Sequence, residues 1–227
     1  MPKRLLLFDI DGTLVNTGGA GVVSLRKMVE QRFGVRDELR DIEIAGKTDR
    51  AIIRDILHKY STPATEENIA EFARTYIDGL AEELPRCRGR VLPGVAELLE
   101  RLRSQPGIVL ALLTGNLRRG AELKLRHYRL WQYFEFGAFA DDHHDRNELG
   151  AFARRRAQEK HGDEFDSADI DVIGDTGHDV ACGKAFAART IAVATGGWSP
   201  ERLAKCAPDF LFDDFAAVNS VIARLGW

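Results

Sequence analysis

The sequence predicts a doubly wound α/β fold: a mostly parallel sheet with helices on both faces, interrupted once by an all-helical insert. Three observations carry this. Short apolar runs end in turn or polar residues at 4–8, 108–113, 170–173, 190–193 and 209–212. Helical patterns of about 10–15 residues lie between the later runs, the rhythm of strand–helix–strand crossovers. Residues 16–88 break that rhythm and hold no convincing strand.

Each element has its own reason. Residues 4–8 (RLLLF) are apolar without alternation and stop at Asp9, as in a strand buried on both faces. In the insert, 22–33, 49–60 and 66–84 read as amphipathic helices; Thr65 is placed to cap the third, with Asn68 where a capping box usually has Glu or Gln. The stretches 17–21 (TGGAG) and 86–93 read as hinges, because glycine admits dihedrals that absorb motion. Residues 94–103 follow Pro93 and carry Val95, Leu98, Leu99 and Leu102 at helical spacing. The segments 117–128, 148–160, 178–187 and 215–225 complete the alternation. The expected division is a sheet domain from 1–15 and 89–227, with a helical domain at 16–88.

Composition narrows the class. The 227 residues are 44% hydrophobic and 30% charged, the balance of a globular protein. A net charge of −3 argues against an overall basic nucleic-acid binder. No apolar run approaches the roughly 18 residues of a membrane span, and the opening run stops at Asp9, short of a signal peptide's apolar core. Cys87, Cys182 and Cys206 are far apart and odd in number, which fits reduced thiols in a cytoplasmic protein.

The chemistry sits at three strand ends. Asp9-Ile10-Asp11-Gly12-Thr13 closes the first strand: two carboxylates on the same side of an extended chain, then a glycine that permits a sharp turn and a close approach to a ligand. The alternative for paired Asp is a capped turn. Gly174-Asp175-Thr176-Gly177-His178-Asp179 closes another strand. Asp175 and Asp179 either share a hard cation with the first-strand carboxylates, an all-oxygen set that suits Mg²⁺, or Asp179 stabilises a helix start. Thr114-Gly115-Asn116 offers a hydroxyl and free backbone N–H groups at a helix start, as an anion site or as an ordinary cap. In an open α/β sheet ligands bind outside the carboxyl ends of the strands, so the three endings converge.

At these residues the chain resembles the haloacid dehalogenase superfamily, in its phosphoglycolate-phosphatase-like and β-phosphoglucomutase-like branch. DIDGTL at 9–14, LLTGN at 112–116 and GDTGHD at 174–179 match that family's motifs in order and spacing, and the likeness covers nearly the whole chain. It implies a Rossmann-like core with a small helical cap, a Mg²⁺ cofactor and a small phosphorylated metabolite as partner. It also implies roles. Asp9 is the nucleophile that forms an aspartyl-phosphate, and Asp11 is the acid and then the base. Thr114, Gly115 and Asn116 hold phosphoryl oxygens. Asp9, the Asp11 carbonyl, Asp175 and Asp179 form the metal site. One position departs from the pattern. Where the family usually has a lysine, Asp145-Arg146-Asn147 offers Arg146, a permanent cation with a bidentate fork. Lys160 falls too late along the helix. Asp11 favours phosphatase or mutase over the family's dehalogenases, since only ester cleavage needs a proton on the leaving group.

Selectivity is expected from the insert. Lys47 and Arg50, in the loop Ala45-Gly46-Lys47-Thr48-Asp49-Arg50, are placed to meet an acidic part of the substrate; otherwise the loop is solvated, with Thr48 or Asp49 capping the next helix. Asp141-Asp142-His143-His144-Asp145 reads as a polar loop, Arg154-Arg155-Arg156 as a solvated helix face, and Trp198 as a packing residue. The function expected is Mg²⁺-dependent hydrolysis of a phosphomonoester by a monomer or homodimer, with no membrane or nucleic-acid partner. A phosphomutase that returns the phosphoryl group to sugar is the alternative, and a non-catalytic binding protein on the same fold is a lesser one.

Overall fold

The computed structural model describes residues 4–162 and 165–227. In chain order the elements are β1 (Arg4–Phe8), β2 (Val15–Asn16), α1 (Ala20–Phe33), α2 (Asp49–Lys59), α3 (Glu66–Glu83), β3 (Arg90–Val91), α4 (Val95–Arg103), β4 (Ile108–Leu113), α5 (Arg118–His127), β5 (Gly137–Ala138), α6 (Leu149–His161), β6 (Ile170–Gly174), α7 (Gly177–Ala185), β7 (Arg189–Val193), α8 (Pro200–Ala204), β8 (Phe210–Phe212) and α9 (Val218–Leu225). Short 3₁₀ turns lie at Trp131–Tyr133, Arg146–Glu148 and Ser167–Asp169.

The apolar runs form a parallel six-stranded sheet in the order β5-β4-β1-β6-β7-β8. Successive residues of a strand face opposite sides, and both sides of β1 are covered. Leu6 and Phe8 join Leu110 and Leu112 against Leu98 and Leu99 of α4 and Val221 and Leu225 of α9. Leu5 and Leu7 join Val109, Ala111, Ile170 and Val172 against Ala153 and Ala157 of α6 and Cys182 of α7. A strand with no solvent face has no reason to alternate, which explains the continuous RLLLF run. Replacing one of these leucines by alanine would cost about 2–5 kcal/mol. The chain moves outward from β1 to β4 and β5, then returns to β6 and moves the other way. A cleft therefore opens above the carboxyl ends of β1, β4 and β6.

Helices α1, α2 and α3 form a separate layer over that cleft. Its apolar interior is Leu25, Met28 and Val29 of α1, Ile52, Ile53, Ile56 and Leu57 of α2, and Ile69, Phe72, Tyr76 and Leu80 of α3; Leu117 and Ala140 join it from the sheet side. The Thr48 and Thr65 side chains cap α2 and α3, accepting from the Ala51 and Asn68 backbone N–H at 3.1 and 3.2 Å. The Asn68 side chain donates instead to the Pro63 carbonyl, so the capping box is only half made.

Some elements differ from expectation. Residues 15–16 and 90–91, where no strand is predicted, pair antiparallel at the foot of the helical layer. β5 is too short for any periodic signal; its Gly137 is forced, since a Cβ would come within 2.8 Å of the Leu112 side chain. The last helix begins at Val218 rather than 215, because the Asp214 carboxylate accepts from the Ala216 backbone N–H and holds a turn there. No helix among the described residues is long and apolar enough to cross a membrane. Cys87, Cys182 and Cys206 are free thiols.

Candidate active site

The first strand end builds the floor. The Asp9 N–H donates to the Ile173 carbonyl at 2.9 Å, which extends the sheet ladder and fixes Asp9 beside β6. The next residues turn back, with Gly12 N–H donating to the Val15 carbonyl at 2.8 Å. Gly12 has φ +82°, and a Cβ there would strike the Asp175 carboxylate, so only glycine fits the turn. The Asp9 side chain is 6% exposed and that of Asp11 is 40% exposed: one carboxylate is sealed in the floor and the other faces the cleft.

Asp175 and Asp179 arrive from the end of β6 and the start of α7. Each of Asp9, Asp175 and Asp179 offers an oxygen within 4.8 Å of the others, and all are buried. Arg146, buried in its 3₁₀ turn, answers this charge. Its Nη2 lies 3.0 Å from Asp9 Oδ1, pairs closely with Asp179 Oδ1, and its Nη1 donates to the Gly46 carbonyl of the helical layer at 2.9 Å. The Asp9 contact is an ion pair without hydrogen-bond alignment, so Asp9 Oδ1 is buried with no hydrogen bond. The other oxygen of Asp179 accepts from the Thr176 N–H and hydroxyl at 2.9 and 2.7 Å, tying it to the start of α7.

One guanidinium does not balance three acids. Burial pushes the Asp9 carboxyl up to about 6, against the pull of Arg146 and with the repulsion of Asp179 and Asp11 added. Burial and then the charges of Asp179 and Asp9 hold Asp175 well above the usual carboxylate range. Burial opposes the charge of Arg146, but Asp179 and Asp9 outweigh it and keep the guanidinium protonated. A buried excess of negative charge, with an oxygen of Asp9 left unbonded, is an all-oxygen cluster of the kind that suits a hard divalent cation such as Mg²⁺.

The end of β4 supplies the opposite wall. Gly115 and Asn116 reach the cleft, and Thr114 lies fully buried behind them. The Thr114 Oγ1 accepts from the Asn116 side-chain amide at 2.8 Å, and that amide also donates to Asp11 Oδ2 at 2.9 Å. Gly115 is held close beneath the insert loop, where a Cβ would strike the Lys47 carbonyl. The cleft has a volume of about 400 Å³ and runs from Asp9 up between Leu25, Ile52 and Tyr76 of the helical layer.

The loop residues separate. Lys47 lines the cleft, with its ammonium 2.7 Å from Asp55. Arg50 does not line it; its guanidinium is bound to Glu66 at 2.5 and 2.7 Å, so α2 and α3 hold it away from the cleft. Thr48 caps α2 and donates to the His144 carbonyl, at 2.5 Å. Lys160 donates to the Glu135 carbonyl, on another face of the sheet domain. In the Asp141–Asp145 loop, Asp142 pairs with Arg156 and the His143 ring with the Asp145 backbone. Trp198 packs under the Arg202 guanidinium, 3.3 Å from its ring centroid.

Two residues of the site escaped the sequence reading. Asp49 accepts from the Leu117 N–H at 2.7 Å and donates its own N–H to the Gly115 carbonyl at 2.6 Å, so an insert residue caps α5 of the sheet domain. Burial pushes its carboxyl up to about 6. Lys124 of α5, almost fully buried, donates to Asp11 Oδ2 and Asn116 Oδ1, both at 2.5 Å. The signal for Lys124 was there: it stands with Gly120, Ala121 and Leu125 on the buried stripe of its helix, where a lysine needs a partner.

A parallel sheet that gathers three carboxylates, an arginine and a Thr-Gly-Asn turn above its strand ends belongs to a recognisable class. Residues 6–193 match the haloacid dehalogenase-like hydrolase family, and the chain is a member of it. Within that family it is phosphatase-like. It is 31% identical to the probable phosphatase IndB of Dickeya dadantii, over 95% of this chain and 92% of that one. It is 28% identical to the phosphoglycolate phosphatase of Agrobacterium fabrum, over 96% and 91%. The fold is shared with CbbY from Rhodobacter sphaeroides, solved in complex with phosphate, at a TM-score of 0.75, 19% identity and coverage of 94% and 95%.

Proposed function

We propose that this protein hydrolyses a small phosphomonoester with Mg²⁺, through an aspartyl-phosphate on Asp9. The observation that carries the reading is the pairing of two unlike carboxylates on one turn. Asp9 is sealed against a permanent cation and two more acids; Asp11 is open to the cleft.

Asp9, Asp175 and the Asp11 carbonyl would hold the ion, with Asp179 orienting the group from its anchored position. Mg²⁺ supplies positive charge that offsets the repulsion between an anionic nucleophile and an anionic phosphoryl group. Arg146 fixes Asp9 and stays charged throughout. Asp9 attacks phosphorus, the P–O bond to the leaving group breaks, and Asp11 gives that oxygen its proton. Water then attacks the phosphorus of the acyl phosphate, Asp11 takes its proton, and phosphate leaves as the Asp9 carboxylate is restored. The amides of Gly115 and Asn116 hold the phosphoryl oxygens, and Thr114, buried behind them, supports Asn116. Residues 16–88 act as the cap, hinged where the chain crosses to and from the sheet, and Lys47 meets an acidic part of the substrate.

The test is phosphate release from a panel of phosphomonoesters with Mg²⁺, with EDTA, and in Asp9→Asn. Release that needs the metal and falls at least about 10³-fold in the variant is the expected result. A folded protein that releases phosphate from none of them overturns the reading. Conversion of β-glucose 1-phosphate to glucose 6-phosphate without net release would replace it with a mutase.

A further inference from the structure

Asp11 meets the cleft with two oxygens in different situations. Oδ2 accepts from Lys124 Nζ at 2.5 Å and from the Asn116 amide at 2.9 Å. Oδ1 accepts no hydrogen bond from any described residue, in a side chain 40% exposed to the cleft. Lys124 is itself held: its side chain is 5% exposed, and its second bond goes to Asn116 Oδ1 at 2.5 Å. Asn116 is fixed in turn by the Thr114 hydroxyl. Three side chains thus clamp one oxygen of Asp11 and leave the other turned to where a leaving group must depart.

We propose that Lys124 is a positioning residue for the proton-transfer step: with Asn116 it anchors Asp11 Oδ2 and so assigns Oδ1 as the oxygen that carries the proton. The inference rests on the phosphatase reading above, with Asp11 as acid and base. An exposed aspartate on a turn beside a glycine has several rotamers, and proton transfer needs a heavy-atom separation of about 2.6–3.2 Å. A displacement of 1 Å at such a step costs about 10²-fold. Lys124 lines the cleft, and both hydrogen bonds of its ammonium end on Asp11 and Asn116. Acting through Asp11, it bears on chemistry in which a proton is transferred.

The experiment compares Lys124→Met, Asp11→Asn and the double variant on a series of phosphate esters graded by leaving-group pKa, from 4-nitrophenyl to simple alkyl. Cleavage of 4-nitrophenyl phosphate needs little proton assistance, and cleavage of an alkyl phosphate needs it fully. The expected result is that Lys124→Met lowers kcat/KM, which reports the first phosphoryl transfer and not the shared hydrolysis of the acyl phosphate, at least tenfold more on alkyl esters than on the 4-nitrophenyl ester, and that adding it to Asp11→Asn costs less than about threefold further. An equal loss across the series, or full multiplication of the two single losses, overturns the inference and leaves Lys124 a structural residue. If Lys124→Met shows no cooperative thermal transition, Lys124→Gln, which keeps a donor of similar length, carries the same cycle. Wild-type protein that releases phosphate from neither ester type overturns the phosphatase reading, and the inference with it. Wild-type activity with an undifferentiated Lys124 variant overturns the inference alone.

Discussion

The carboxyl edge of the sheet and the helical layer above it treat charge in opposite ways. At the edge, Asp9, Asp175 and Asp179 are buried within reach of one another, and Arg146 is buried with them. In the helical layer the interior is apolar, and the ion pairs Arg50–Glu66, Lys59–Asp41 and Arg26–Glu38 lie on its outside. The layer obeys the ordinary economy of a small helical protein; the edge violates it. Strand ends can hold repelling groups together because the ladder fixes the backbone beneath them, as the Asp9–Ile173 bond does. A three-helix layer has no such clamp, so it contributes walls and a loop, and leaves the concentrated charge below.

Four substitutions can break or sharpen that contrast. The largest effect is expected at Arg146. In Arg146→Met the three acids lose their buried partner, and both turnover and stability should fall, the latter by about 3–5 kcal/mol in metal-free protein near neutral pH. Denaturant unfolding and kcat measure the two; a variant that loses neither would mean the edge is not under electrostatic load.

Asp49 comes next, as a buried acid that the helical layer has taken on. Its carboxyl is pushed up to about 6 from an ordinary 3.8 by burial, so the folded state binds that proton more tightly than the unfolded chain. The stability it contributes is full below about 3.8 and is lost as pH rises through about 6. Asp49→Asn keeps an acceptor for the Leu117 N–H and removes the charge. It should flatten the fall in Tm between pH 4 and 7 and gain up to about 3 kcal/mol at pH 8. A profile parallel to the parent's would show that Asp49 is solvated after all.

Thr48→Ala removes the α2 cap and the bond to the His144 carbonyl. It should cost about 1 kcal/mol in thermal unfolding and raise KM more than it lowers kcat, since the loop borders the cleft and not the reacting atoms. The smallest effect is expected at Arg50. Its pair with Glu66 faces solvent, so Arg50→Ala should change stability by less than about 1 kcal/mol and KM by less than about twofold. A tenfold rise in KM would put that guanidinium back in the cleft.

Legibility in the sequence follows the same division. Asp9, Asp11, Thr114, Asp175 and Asp179 were readable because each ends an apolar run, and the topology then brings strand ends together without further information. Arg146 was readable only through the family resemblance, as the cation standing where the family usually has a lysine. Lys124 shows in the sequence only as a lysine on a buried stripe, and Asp49 not at all, because their partners are distant in sequence: Lys124 meets Asp11 when the sheet brings β1 beside α5, and Asp49 meets Leu117 only after the helical layer has folded over the sheet. Lys47 and Arg50 looked alike in the sequence, and what separates them is the geometry of α2 against α3, which places Glu66 beside one and Asp55 beside the other. Strands of two residues, such as β5, leave no period to detect.

The β2–β3 pairing has a consequence for how such a molecule can change. Val15 lies beside Val91 and Asn16 beside Arg90, and Gly18 is so near Arg88 that a Cβ would come within 2.7 Å of its backbone. The chain leaves the sheet layer and re-enters it at one doorway. To the sheet, everything between Thr17 and Gly89 is a loop closed at its base, as a hairpin turn would be. Away from residues 46–49, which touch Gly115, Leu117 and Arg146, helices in that branch can be lengthened, replaced or rearranged while the strand ends keep their positions, so the walls of the cleft can drift in one stretch of sequence without the carboxylate edge in the other having to be rebuilt.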